Sequence, residues 1–264
     1  MRFDPTAHIV RDRTDAVSPA DYAKSPPTAF LTHAVHLLDA VNHCERNFPK
    51  KPAKTTEFTK ASSDSLHQLC TSTYGSLMSQ FETFQHHLLA GLFEASRHVP
   101  EITTKSLEKQ LKAEVPLSLV AAYRGAPAAT GILLAESLGS WHDPERVNGY
   151  FKAFVNRDLF SNDAQRELQT LWQIRHTIVH TSGWLSASDS QKVEALRPFT
   201  GSAIVLGVPF IRATIQWLHR ELKTSVEAYG VAFLARLPAS VVAPERTVVE
   251  DLFKVESPRS SYFP

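Results

Sequence analysis

The chain has 264 residues, of which 43% are apolar and 21% charged, and this composition excludes a mostly disordered or collagen-like protein. Lysine and arginine number 28 and aspartate and glutamate 27, so the net charge of +1 excludes a uniformly basic nucleic-acid coat. The two cysteines, Cys44 and Cys70, are too few for a disulfide framework or a four-thiolate zinc site, which favours a reducing compartment.

The first residues do not resemble an export signal, because charged side chains occupy the place of its apolar core. These side chains are Asp4, Arg11, Asp12, Arg13 and Asp15. The sequence contains no run of 18 apolar residues, so we expect no membrane partner. Together these features predict a cytoplasmic protein.

Apolar residues recur at helical spacing along three long segments. Residues 28–47 predict a helix whose apolar face comprises Phe30, Leu31, Ala34, Val35, Leu37, Leu38 and Val41. A longer helix is predicted between possible N-caps at Ser63, Asp64 or Ser65 and Pro100, with an average apolar spacing of about 3.7 residues. Its stripe is Leu66, Cys70, Tyr74, Leu77, Phe81, Phe84, Leu88 and Leu92. The third stripe is Ile211, Ile215, Leu218, Leu222, Val226, Tyr229 and Phe233.

Shorter segments, most of them with helical patterns, complete an all-α prediction. Further helices are expected over 107–112, 127–138, 148–154 and 163–180, loops over 49–56, 123–126 and 181–191, and a short strand or extended connector over 200–208. We predict a helical bundle over 63–238, preceded by a one-helix N-terminal extension over 1–62 and followed by a C-terminal tail, or appendage, over 239–264. The chain lacks a glycine-rich phosphate loop, which excludes the common nucleotide-binding motifs.

The segment 171–183, LWQIRHTIVHTSG, contains the residues with the clearest chemical potential. On a helix, Arg175 lies in the middle of the side formed by Leu168, Leu171, Trp172 and Val179. A guanidinium in apolar surroundings loses its water, so it needs either a structural carboxylate partner or an anion that binds and leaves.

His176 and His180 are four residues apart, so their imidazoles are predicted to stack on one face of the helix. Because histidine titrates near neutral pH, such a pair can supply one base and one acid. RNA cleavage without a metal needs both groups and a cation for the charge on phosphorus. However, Arg175 and His180 are about 140° apart on a straight helix. Either the helix ends near His180, or a second copy of the chain completes the site.

The residues Arg175 to His180, RHTIVH, resemble the Rx4H signature of the HEPN domain family (higher eukaryotes and prokaryotes nucleotide-binding). The longer string RHTIVHTSGW also resembles that motif, with His176 at a position where asparagine is common. The earlier segment TYGSLMSQFETFQHHLLAGLF is similar to the first core helix of the RiboL-PSP-type group, in which a glutamate such as Glu82 lies between apolar residues. The resemblance extends over roughly residues 66–237.

The resemblance implies a HEPN-like helical bundle that forms a homodimer through the motif helices. It also implies a metal-independent endoribonuclease without a cofactor, which acts on RNA in a toxin–antitoxin or phage-defence system and can be restrained by an antitoxin or sensor protein. Arg175 and His180 correspond to the catalytic pair, and His176 to the variable polar position. The family also contains inactive members that only bind nucleotides or protein partners, and this alternative stays open.

Each of these residues can also have a purely structural role. Arg175 can be a structural cation paired with Glu82, and His180 can simply stabilise a helix end. For Glu82, an ion-pair role is favoured over proton transfer. Trp184 follows the motif and is a candidate for stacking on a base, although packing is the favoured role.

Two other patterns point weakly to metal or RNA binding. His33, His36 and His43 lie on one face of the first predicted helix with Asp39, but a solvated face is favoured over zinc binding. The HxxxH spacing of His176 and His180 lacks the general-base glutamate of zinc proteases. The basic segment 46–60 can attract an RNA backbone, although a solvated loop is favoured.

Overall fold

A computed structural model describes residues 16–52, 54–123 and 130–259 of the chain. The predicted loop over 123–126 and the start of the predicted helix over 127–138 lie partly outside these residues, as do the charged residues at the N-terminus. Within the described ranges the fold is all-α, as predicted, with eleven α-helices, two short 3-10 helices (Ser96–His98 and Glu194–Phe199) and one two-stranded sheet.

The helices and strands follow one another in a simple order. The sheet is formed by β1 (Lys50–Lys51) and β2 (Lys54–Phe58). The first six helices are α1 (Pro19–Lys24), α2 (Pro26–Asn47), α3 (Lys60–Ala95), α4 (Thr104–Leu111), α5 (Leu117–Ala122) and α6 (Thr130–Ser137). The last five are α7 (Pro144–Val155), α8 (Asn162–Thr181), α9 (Ala187–Lys192), α10 (Val208–Leu234) and α11 (Ala243–Asp251).

The long helix α3 is the centre of the fold and packs against α1, α2, α6, α7, α8, α10 and α11. Its predicted apolar stripe, from Leu66 to Leu92, is buried along its whole length. The predicted start is wrong: the N-cap is Thr59, whose hydroxyl accepts a hydrogen bond from the backbone of Ser62. The helix therefore begins a turn earlier than the predicted caps, because Thr59 satisfies its first free N–H groups.

Helices α2 and α10 pack against α3 and against each other. Every residue of the predicted α10 stripe is buried, as is the predicted face of α2 except Leu37, which is half-buried. Both helices begin with proline in their first turn, where its missing N–H costs no hydrogen bond. The hydrophobic pattern alone was sufficient to place these two helices.

The segment after Ala239 forms α11 and contributes Leu252 and Phe253 to the core. Its contacts depend on two glycines: a Cβ at Gly91 would meet Leu252 at 2.5 Å, and a Cβ at Gly230 would meet Phe253 at 2.6 Å. The carbonyl of Lys254 accepts hydrogen bonds from Ser25 and Thr28. Residues on both sides of the predicted division at 238/239 thus share one cluster of buried side chains.

Two predicted loops contain regular structure. The segment predicted as a loop over 49–56 forms most of the antiparallel pair β1–β2, and the predicted loop over 181–191 contains most of α9. Strands and helices this short show no recognisable hydrophobic period, so the pattern does not distinguish them from loops. The predicted connector over 200–208 is extended in part and forms one isolated bridge, between Trp184 and Ala203.

No helix within the described ranges is both long enough and apolar enough to cross a lipid bilayer.

Candidate functional site

Helix α8 carries all three residues of the predicted site. Ser161 caps its start by accepting a hydrogen bond from the backbone of Ala164. At its end, Ser182 and Gly183 have left-handed backbone conformations, and the carbonyl of Thr177 accepts hydrogen bonds from both of their N–H groups. The helix is therefore regular through His180 and stops directly after it.

The first half of α8 is fixed in the core and the second half emerges from it. Leu168, Leu171 and Trp172 are buried, and the hydroxyl of Tyr74 on α3 donates a hydrogen bond of 2.7 Å to the carbonyl of Leu171. Two turns later the side chain of Val179 is 53% exposed, although the sequence placed it on the same apolar side. Arg175 lies at this transition from core to surface.

The guanidinium of Arg175 has no carboxylate within ion-pair distance among the residues that the structure describes. Its Nε atom is buried and lacks a hydrogen-bond partner there. The predicted alternative partner, Glu82, lies instead 4.0 Å from the Nε2 atom of His86, one turn along α3. A permanent Arg175–Glu82 clamp is therefore not formed in this structure, and Arg175 retains hydrogen-bonding capacity.

The imidazoles of His176 and His180 are brought together as the spacing predicts. Their ring centroids are 4.5 Å apart, with 43° between the ring planes. His180 is exposed and His176 is half-buried, so one ring faces solvent and the other lies closer to the protein. This arrangement suits two groups that exchange protons with a ligand on the surface.

A carboxylate that the sequence analysis missed lies beside the histidines. Asp189 on α9 is 8% exposed, and its Oδ1 atom is 4.0 Å from the Nε2 atom of His176. The same oxygen accepts a hydrogen bond of 2.7 Å from Lys192. The signal in the sequence is Ser186, the N-cap that starts α9 within the predicted loop. Its hydroxyl accepts a hydrogen bond from the Asp189 N–H and donates one to the Asp189 carboxylate.

The surroundings of His176 favour its neutral form. Burial is the largest cause that lowers the pKa of His176, and the nearby His180, Lys192 and His142 lower it further. Asp189 acts in the opposite direction. Lys192 and Ser186 in turn hold the pKa of Asp189 below its usual value, so this carboxylate is ionised near neutral pH.

A second group of aromatic and histidine side chains links α3 to α8. The ring of His86 packs on Trp141 at 4.3 Å between centroids, and the next residue, His142, contacts Trp172 at 6.4 Å. Burial lowers the pKa of His86 to about 4. His86 is therefore a neutral, partly buried residue that packs against Trp141.

Trp184 lies at the edge of the site on the segment after α8. Its backbone pairs with Ala203, and its N–H donates a hydrogen bond to the carbonyl of Thr181. The backbone is thus fixed, but Trp184 is 55% exposed. Packing within one copy of the chain therefore covers only part of this residue. Val179 and Val205 are also exposed, with 53% and 70% of their surface accessible.

The histidines on α2 do not form a metal site with their neighbours. No group of three or more His, Cys, Asp or Glu side chains in the described parts of the chain is arranged to hold a metal ion. This finding includes His176 and His180 on α8. Among the described residues, Asp189 is the one carboxylate within ion-pair distance of His176.

Comparison with known proteins finds no family model, no curated protein and no solved structure that matches this chain. The chemistry of the site therefore has to be argued from its own residues. These comprise one guanidinium with unused donor capacity, two adjacent imidazoles and one buried carboxylate, all placed where a helix emerges from the core.

Proposed function

We propose that this chain is a metal-independent endoribonuclease of the HEPN type that acts as a homodimer in the cytoplasm. The observation that carries this proposal is the position of Arg175, with a buried and unpartnered Nε, one residue before the stacked His176 and His180. A phosphodiester offers both an anion for the guanidinium and two oxygens between which a proton must move.

In the proposed reaction, an imidazole removes the proton from a ribose 2′-hydroxyl. The 2′-oxygen then bonds to the neighbouring phosphorus, and the bond from phosphorus to the 5′-oxygen breaks. A second protonated group gives its proton to that departing oxygen. The products are a 2′,3′-cyclic phosphate and a 5′-hydroxyl end. His180 is the proposed acid or base, Arg175 stabilises the charge on phosphorus, and His176 assists or orients His180.

The homodimer is part of the proposal because one copy of the site is geometrically incomplete. Helix α8 is regular from Arg175 to His180, so the two side chains leave it about 140° apart. A two-fold axis beside the exposed end of α8 would bring the Arg175 of one copy towards the His180 of the other. The exposed Val179 lies between them and supports this placement, because association would remove it from water.

A cleavage assay with matched histidine variants tests the proposal. Purified protein is incubated with structured and unstructured RNA in EDTA, and the product ends are identified by their chemical and enzymatic reactivity. We expect cleavage to cyclic phosphate ends, lost by at least about 100-fold in His180→Ala and in Arg175→Ala. His43→Ala, at an exposed position on α2, is the control and keeps full activity. Cleavage that persists in His180→Ala would refute the assignment.

A non-catalytic module that binds a nucleotide or a protein partner is the second candidate. The observation that favours it is the same 140° separation, because a chain that stays monomeric would present Arg175 and His180 to different ligands. Expression in cells separates the two candidates. Growth arrest that Arg175→Ala abolishes supports a nuclease in a toxin–antitoxin or defence system, whereas a harmless wild-type protein supports the binding module.

A further inference from the structure

Asp189 is unusual among the acidic residues because it is buried next to the candidate site. Two hydrogen bonds hold its carboxylate: Ser186 donates to Oδ2 at 2.8 Å, and Lys192 donates to Oδ1 at 2.7 Å. The backbone N–H of Asp189 also donates to the Ser186 hydroxyl. A short helix, α9, begins at this point, with Ser186 as its N-cap. The position of the carboxylate is therefore set by the fold and does not depend on a ligand.

The oxygen that Lys192 contacts is the one that faces His176. Oδ1 lies 4.0 Å from Nε2 of His176, which is close enough for an ion pair when the imidazole is protonated, but too long for a hydrogen bond. Lys192 is the nearer cation, and its side chain is 53% exposed. The lysine therefore neutralises part of the negative charge that His176 experiences.

We propose that Asp189 is a positioning residue for the proposed ribonuclease site: its fixed carboxylate attracts the protonated imidazole of His176, and Lys192 weakens that attraction. The ring of His176 in turn packs against the ring of His180, with 4.5 Å between their centroids. The inference rests on the proposed function for its catalytic consequence, but the coupling between the three residues exists whether or not RNA is the substrate.

Four groups with titratable or fixed charge face His176. These are His180 on α8, Asp189 and Lys192 on α9, and His142 in the segment before α7. Asp189 is the single anion among them, and it raises the pKa of His176, whereas the three others lower it. Removing Asp189 and removing Lys192 must therefore move the titration of His176 in opposite directions.

The test is an NMR titration of the imidazole signals of the full chain, compared among wild type, Asp189→Asn and Lys192→Met. Asparagine keeps the shape of the Asp189 side chain and removes its charge. We expect the titration of His176 to move to lower pH in Asp189→Asn and to higher pH in Lys192→Met. A His176→Gln variant assigns the signal. The expected signs follow from charge alone, so a general loosening of the structure does not reproduce both.

The same variants are then assayed for RNA cleavage. Asp189→Asn is expected to lower kcat by about 10-fold with little change in KM, because the carboxylate orients a group and does not touch RNA. If no variant moves the titration of His176, or if both move it in one direction, the inference fails even where wild type cleaves RNA. Opposite shifts without RNA cleavage by wild type uphold the coupling and refute the proposed function instead.

Discussion

Arg175 shows how a single side chain can be costly for the fold and useful for a ligand. Its Nε atom has lost water without gaining a hydrogen bond within the described residues, and such an atom typically costs about 1–3 kcal/mol. A bound anion would satisfy the donor, which is the physical basis of the proposed site.

The substitution Arg175→Met is predicted to raise the free energy of unfolding by about 1 kcal/mol, because methionine keeps the apolar stem and removes the unpaired donor. RNA cleavage is predicted to be lost in the same variant. Urea unfolding followed by circular dichroism measures the first effect. A variant that gains stability while it loses activity identifies a residue retained for function.

Arg166→Met is the matched control for this prediction. Arg166 lies on the same helix, but its side chain is 74% exposed and pairs with Asp163. Its replacement is predicted to change stability by less than about 0.5 kcal/mol. A clear loss of stability in Arg175→Met would contradict the argument, since it would mean that the guanidinium stabilises the fold through its other nitrogens.

The sequence allowed only part of the candidate site to be predicted. The stacking of His176 and His180 follows directly from their spacing of four residues on a helix, and the structure confirms it. Asp189 was not foreseen, because its approach to His176 depends on a turn after Ser182 and on the N-cap Ser186 of α9. The catalytic roles of Arg175, His176 and His180 stay predictions. Contacts across a turn of this kind have no fixed period in the sequence.

At the scale of whole elements, helices with long apolar stripes were predicted better than short helices. The α3 and α10 stripes are continuous over many turns, so their burial followed from periodicity alone. Helices α1, α5, α9 and α11 were not predicted, because each has at most nine residues, too few for an apolar stripe over several turns. Tertiary contacts stabilise such helices, as the packing of α11 against α3 and α10 illustrates.

The close contact between α3 and α6 gives a prediction at this scale. A Cβ at Gly131 would lie 2.4 Å from the carbonyl oxygen of Ala90, so Gly131→Ala must push two helices apart. The N–H of Gly131 also donates a hydrogen bond of 2.9 Å to Glu94. We predict that Gly131→Ala lowers the free energy of unfolding by about 2 kcal/mol, measured by urea titration.

Gly149→Ala is the control, since Gly149 is exposed within α7 and an added Cβ has no neighbour within 4 Å. This variant is predicted to gain up to about 1 kcal/mol, because alanine has a higher helix propensity than glycine. Equal effects of the two substitutions would contradict the close packing of α6 on α3. Opposite signs would support it, because both changes add the same methyl group.

At the scale of the whole molecule, the proposed activity depends on a surface that one chain leaves open. Buried side chains of α8 belong to the same cluster as those of its neighbours α3 and α7, so the core fixes the orientation of α8. The end of α8 nevertheless presents Val179, which is 53% exposed, between Arg175 and the histidine pair. The proposed homodimer would cover this valine at the axis between the two α8 helices.

The final prediction concerns this association. Val179→Arg is predicted to convert the wild-type dimer to a monomer, because it places two like charges close to the two-fold axis, and to abolish RNA cleavage. The stability of the monomer is predicted to change by less than about 0.5 kcal/mol, because the position is exposed.

Val231→Arg is the matched control: Val231 is 69% exposed on α10, and this variant is predicted to stay dimeric and active. Light scattering after size-exclusion chromatography measures the mass. A wild type that is monomeric yet active, or a Val179→Arg variant that stays dimeric, contradicts a site shared between two α8 helices.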